Sequence, residues 1–87
     1  MVRVRVAALL RSYTAGDSVV EVEGEQVGEV MAALDRRFPG LAFRVVDEQG
    51  RVRPHMNIFV GEELASGLET RIATGQEVYI VGALSGG

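Results

Sequence analysis

The sequence predicts an α+β fold: a mixed sheet of four to five strands with one main helix laid across one face. Three observations carry this. Apolar residues alternate with period two near both ends, at Val2, Val4 and Val6 and again at Val78 and Ile80, as in strands with one buried face. A single stretch between them, opening at Val27, repeats its apolar residues at helical spacing. One sheet with one helix across it is the simplest way to bury both sets of apolar faces. The 87 residues fit one small domain. Chains of this size bury only about 60–65% of the surface their unfolded form exposes, so the core must be economical.

The elements follow in order. Val2, Val4, Val6 and Ala8 alternate with Arg3, Arg5, Ala7 and Leu9, which predicts a first strand reaching Leu9. Tyr13-Thr14-Ala15-Gly16-Asp17 carries turn chemistry. Ser18 to Glu23 reads as a second strand, antiparallel to the first because the connection is short. Gly24 breaks it. Val27, Val30, Met31, Leu34 and Phe38 then form the apolar stripe of the main helix. Glu25 near its start and Arg36 and Arg37 near its end suit the helix dipole, and Pro39-Gly40 stops it.

Leu41 to Val46 allows a short helical turn, and Asp47-Glu48-Gln49-Gly50 a polar one. Met56, Ile58 and Val60 alternate with Asn57 and Phe59 in a third strand. Gly61-Glu62-Glu63 turns again. Leu64, Leu68 and Ile72 are expected to anchor a loop-rich stretch to the core, with room for one short strand or helical turn. In the last strand Val78 and Ile80 face one way, and Tyr79 and Val81 the other. If the first and last strands lie side by side in the middle, they run parallel and the sheet is mixed. This order suits a β-grasp, the ubiquitin-like arrangement, over residues 1–82. Residues 83–87 then form a flexible tail, and the sequence closes on Gly86-Gly87.

Composition excludes several classes. There is no cysteine, hence no disulfide framework, thiolate metal site or cysteine nucleophile. The nine basic residues are all arginines, scattered along a chain of net charge −3, so nucleic acid is not an expected partner. No apolar run approaches the ~20 residues of a membrane span and no signal-peptide pattern opens the sequence, so a cytoplasmic location and no membrane association are expected. Lysine is absent, so no side chain can accept an isopeptide bond or form a Schiff base. His55, the single histidine, has no neighbouring ligands and reads as structural or solvated; no metal site is expected.

Several short motifs occur together. They are Leu10-Arg11, Val27-Gly28-Glu29-Val30, Phe38-Pro39-Gly40-Leu41, Asn57-Ile58-Phe59-Val60-Gly61, Gly67-Leu68-Glu69-Thr70 and Gly86-Gly87. As an ordered set over essentially the whole chain they resemble the small sulfur carrier proteins of molybdopterin and thiamine biosynthesis. The segment from Leu41 to Arg53, which the thiamine carriers lack, favours the molybdopterin synthase small-subunit side. The stretch from Arg53 to Ile80 is also similar to a carrier that donates sulfur for cysteine synthesis. Many members have proline where this chain has Gly82, which suggests a looser tail.

The resemblance implies a protein cosubstrate and not an enzyme on its own. An E1-like partner would use ATP to adenylate the carboxylate of Gly87. A sulfur donor would displace AMP to leave a covalent thiocarboxylate, and the large subunit of molybdopterin synthase, or another sulfur-accepting enzyme, would receive the sulfur. No cofactor is expected to be bound. Gly86 and Gly87 are thin enough to enter a tunnel, since no Cβ obstructs them. Ala83, Leu84 and Ser85 extend the reach, and five extended residues span at most ~17–18 Å.

Docking needs a surface. If the helix covers one sheet face, the other shows Ala7, Leu9, Phe59, Tyr79 and Val81, which with Leu84 of the tail are the expected partner-binding residues. Should the register slip by one residue, Phe59, Tyr79 and Val81 would instead fill the core. Arg11 stands open between steering the tail or a partner's carboxylate and being a plain surface arginine. Two other functional classes also stand open: a ubiquitin-like modifier joining the same terminus to another protein's lysine, and an interaction module whose tail does nothing.

Overall fold

A computed structural model describes residues 1–82 of the chain. The elements are β1 (Val2–Val6), a 3₁₀ turn (Ala8–Leu10), β2 (Val19–Val22), α1 (Val27–Arg37), α2 (Leu41–Val45), β3 (Met56–Val60), β4 (Glu63–Leu64) and β5 (Val78–Gly82). One five-stranded sheet runs in the order β2-β1-β5-β3-β4. β1 and β5 pair in parallel at its centre, and the other pairings are antiparallel. The mixed β-grasp sheet is therefore present, with its fifth strand in the short edge pairing of β4.

Register fixes the two faces. Val4 lies beside Val78, Val6 beside Ile80 and Ile58 beside Ile80, and all are buried. This inner face meets Val27, Val30, Met31 and Leu34 of α1 and Leu41 and Val45 of α2. Each such side chain, fully withdrawn from water, contributes about 1.5–3 kcal/mol before entropy is counted. The alternation along β1, β3 and β5 settles the register as the sequence reading had it, with Val78 and Ile80 inside and Tyr79 outside.

Two expectations are corrected. β1 ends at Val6, not Leu9. Ala7 N–H still reaches Ile80 carbonyl oxygen at 3.0 Å, but Leu10 N–H then bonds back to Ala7 at 2.9 Å and Arg11 N–H to Ala8 at 3.2 Å, closing a 3₁₀ turn. The turn buries Leu10 and leaves Leu9 exposed, so alternation stops where the chain curls. Leu64, expected to anchor to the core, instead sits opposite Phe59 in the β3–β4 pairing and is exposed. Leu68 and Ile72 do pack against the core.

The start of α1 has no side-chain cap. Its first donors are met by the strap that follows β4. Val27 N–H donates to Thr70 carbonyl at 2.9 Å and Gly28 N–H to Leu68 carbonyl at 2.8 Å, answering two donors that every helix leaves open. Thr70 hydroxyl oxygen accepts from Ser66 N–H at 3.1 Å and Gly67 N–H at 3.3 Å, which shapes the strap. Glu29 carboxylate takes Glu25 N–H at 2.7 Å. A Cβ on Gly28 would stand 3.3 Å from Leu68 carbonyl oxygen, so a glycine is what lets the strap lie against the helix. Gly28→Val should push the strap away and cost about 1–3 kcal/mol, read as a lower urea midpoint at unchanged slope.

Between α2 and β3 the backbone folds on Asp47. Its carboxylate accepts Gln49 N–H and Arg51 N–H, each at 2.9 Å. The Arg51 N–H bond is the main cause that holds this carboxyl below the usual 3.8; withdrawal from water opposes it, and Gln49 N–H and the Arg51 and Arg53 charges add smaller help. A lowered carboxyl stabilises the fold fully above its ordinary value and loses that contribution as pH falls through the folded one. The stability gap between the protein and Asp47→Asn should therefore be open at neutral pH and close below about pH 4, as thermal melts across that range would read.

Candidate docking face and tail exit

The outer face of the sheet is built by the same alternation that fills the core. Across four strands the register lines up Arg5, Tyr79, Phe59 and Leu64. Beside that row Val81 lies opposite Asn57, and the parallel pairing of β1 with β5 brings Ala7 to the same end. Tyr79 is 42% exposed and Leu64 59%, while Ala7, Phe59 and Val81 are half-buried. Their partial exposure follows from position, since neither helix covers this side. Ala7, Phe59, Tyr79 and Val81 are thus brought together as the sequence suggested.

The face is polarised along the strands. Toward the start of β5, Glu77 lies 3.8 Å from Arg3 and 3.9 Å from Arg5, and the Arg5 guanidinium lies 6.0 Å from the centre of the Tyr79 ring. Such exposed pairs add little stability. Their effect is to set a charged margin beside the apolar patch. Of the apolar residues, Tyr79, Phe59 and Leu64 share the row of Arg5, while Val81 and Ala7 lie toward the end from which β5 leads to residues 83–87.

Leu9 is placed differently from the expectation. A Cβ on Gly82 would sit 2.5 Å from Leu9 Cδ2 and 3.6 Å from Met56 Sδ, and Met56 is buried on the inner face. Leu9 therefore folds over the end of β5 from the helix side instead of joining the outer patch. The 3₁₀ turn that ends β1 is the cause. Gly82 also takes on a specific use: it makes room for that leucine. Gly82→Ala should displace Leu9, whose contact is the tip of an exposed side chain, at a stability cost below about 1 kcal/mol. The Leu9 methyl resonances should move, and unmoved signals would contradict the contact.

Leu64 was the member of the face that sequence reasoning missed. Its signal was its position just after Gly61-Glu62-Glu63, where a tight return places it opposite Phe59. Leu84, Gly86 and Gly87 lie outside the described residues. Among the described residues no group of three or more His, Cys, Asp or Glu side chains could hold a metal ion, and no helix is long and apolar enough to cross a membrane.

This fold, with an uncovered sheet face beside the exit of the last strand, defines a small ubiquitin-like β-grasp protein. Residues 4–87 match the ThiS family, and the chain belongs to that family as a sulfur carrier protein of its type. The sulfur carrier protein CysO of Mycobacterium tuberculosis is 33% identical over 91 residues, with 99% of this chain and 98% of that protein covered. A chain of the Amycolatopsis orientalis BexX/CysO complex superposes with a TM-score of 0.92 at 30% identity, covering all of both chains. The small archaeal modifier protein SAMP1 of Haloferax volcanii superposes with a TM-score of 0.76 at 30% identity, covering 99% of this chain and 98% of that one.

Proposed function

We propose that this protein carries sulfur as a thiocarboxylate on Gly87, formed after an E1-like enzyme adenylates that carboxylate with ATP, and that it docks through the outer sheet face. The observation that carries the reading is the family match running through Gly87, set on a fold whose uncovered apolar face adjoins the strand leading there. Chemistry supports the order of steps. A terminal carboxyl has a reference pKa of about 3.3–3.7, so it is ionised at neutral pH and a poor electrophile until converted to an acyl-adenylate. Sulfur attack on that carbonyl releases AMP and leaves a nucleophilic thiocarboxylate. Activation and transfer belong to the partners, and the carrier supplies the thin Gly86-Gly87 end, the reach of residues 83–85 and a docking surface.

The acceptor is the finer question. The resemblance first suggested the large subunit of molybdopterin synthase. The similarity to CysO carriers supports instead the alternative drawn from the Arg53 to Ile80 stretch, delivery to another thio-product such as cysteine. The BexX/CysO complex, as a pairing of a similar chain with another protein, supports a docked mode of action. A second reading, conjugation to other proteins, draws on the likeness to SAMP1.

Intact-mass spectrometry separates these readings. Incubated with its adenylating enzyme, ATP and a sulfide source, the protein should gain the mass of sulfur exchanged for oxygen, and deletion of Gly87 should abolish the gain. Adducts on other proteins with no such gain would favour the modifier. For docking, Val81→Asp should weaken binding to the adenylating enzyme by at least tenfold, as burial of an unpaired charge requires, with an unchanged melting temperature. Unaltered affinity would remove the outer face from the interface.

A further inference from the structure

The end of the sheet where β5 leaves also carries a cationic group outside the apolar patch. Met56 is the register partner of Gly82, and Met56 N–H donates to Arg53 carbonyl at 2.9 Å. Arg53 is therefore tied to the strand end beside the tail exit. Arg53 N–H is bonded in turn to Val45 carbonyl at 2.9 Å.

Its side chain is held in two ways. Nε–H donates to Phe43 carbonyl at 2.8 Å, and the guanidinium carbon lies 4.5 Å from the centre of the Phe43 ring. Phe43 is 57% exposed while Leu41 and Val45 of the same short helix are buried. This phenylalanine does not fill the core; it serves as a platform for the cation. Among the described residues the terminal nitrogens of Arg53 make no ion pair or hydrogen bond. Asp47, whose carboxyl feels the Arg53 charge, is engaged by Gln49 and Arg51.

A guanidinium whose Nε and plane are already fixed presents its remaining donors as a fork. That geometry suits a carboxylate, and little freedom is left to lose on binding. We propose that Arg53, held on Phe43, is a carboxylate-recognition site that takes an aspartate or glutamate on the protein partner into which the tail inserts. The proposal rests on the carrier reading above. A nucleotide phosphate fits less well. It would react at Gly87, up to ~17–18 Å of extended chain beyond Gly82.

Calorimetric titration against the protein's own E1-like adenylating enzyme, at low and at high salt, tests this. Arg53→Gln should bind about tenfold more weakly at low salt, as loss of a charge-assisted pair predicts, and the loss should shrink at high salt. Arg53→Lys should recover only part, because it restores the charge without the fork. Phe43→Ala should also weaken binding while the melting temperature holds. Wild-type affinity of Arg53→Gln at low salt, with Val81→Asp still impaired, would overturn the proposal and leave the docking reading intact. If Val81→Asp also bound normally, both would fall. Unchanged affinity with a slower adenylation step at saturating carrier would place Arg53 on the phosphates, and would equally overturn it.

Discussion

The parallel pairing of β1 with β5 is the constraint on which the rest depends. It joins the first and last strands of the described chain at the centre of the sheet, so the fold closes only when its two ends meet. It buries Val4, Val6, Val78 and Ile80 on one face and by the same register sets Tyr79, Val81, Arg5 and Ala7 on the other. It also decides where the chain emerges. Because β5 runs the same way as β1, its last residue lies at the end where β1 curls into its 3₁₀ turn and where β3 begins. Gly82, the last described residue, ends beside Leu9 and the Met56 end of β3.

A parallel pair needs a long crossover, and the crossover has its own requirement. The helix α1 must enter it at a fixed angle without a side-chain cap. The strap residues supply that through the carbonyl groups of Leu68 and Thr70. This explains why two separated motifs occur together. Val27-Gly28 gives the donors and the space, and Gly67-Leu68-Glu69-Thr70 gives the acceptors and the turn that aims them. The interaction is long in sequence and short in space, so it ties the second half of the chain to the first.

Much of this was legible in the sequence because it is periodic. The strands carrying Val2, Val4 and Val6 or Met56, Ile58 and Val60 alternate cleanly, and α1 repeats at helical spacing, so face and core follow together. What was not legible depended on local backbone bonds that periodicity does not encode. Ala8 and Leu9 continue the alternation of β1, yet the bonds from Leu10 and Arg11 back to Ala7 and Ala8 end the strand. Leu64 looks like a core anchor because it is apolar, yet a two-residue edge strand turns it outward. Gly82 reads as a loosened position until Leu9 is seen to occupy the space its missing Cβ leaves. The Phe43–Arg53 stack joins residues ten apart across an irregular turn, and no spacing rule points to it.

A carrier must be received by one partner to be activated and by another to be emptied, so its docking has to be specific without being permanent. The outer face suits that demand. Its apolar residues are only partly exposed, and Tyr79 supplies one of the residue types that dominate binding where a pocket receives them. Charges of two kinds stand outside this patch. Arg3, Arg5 and Glu77 are paired among themselves, so they can exclude a mismatched surface without adding much affinity. Arg53 is fixed but unpaired among the described residues, and lies toward the tail. A partner that satisfies the patch alone would align the sheet but not the exit. One that also meets Arg53 would hold the sheet end still while the tail extends into its site, and a single rim pair of this kind sets orientation while leaving release possible.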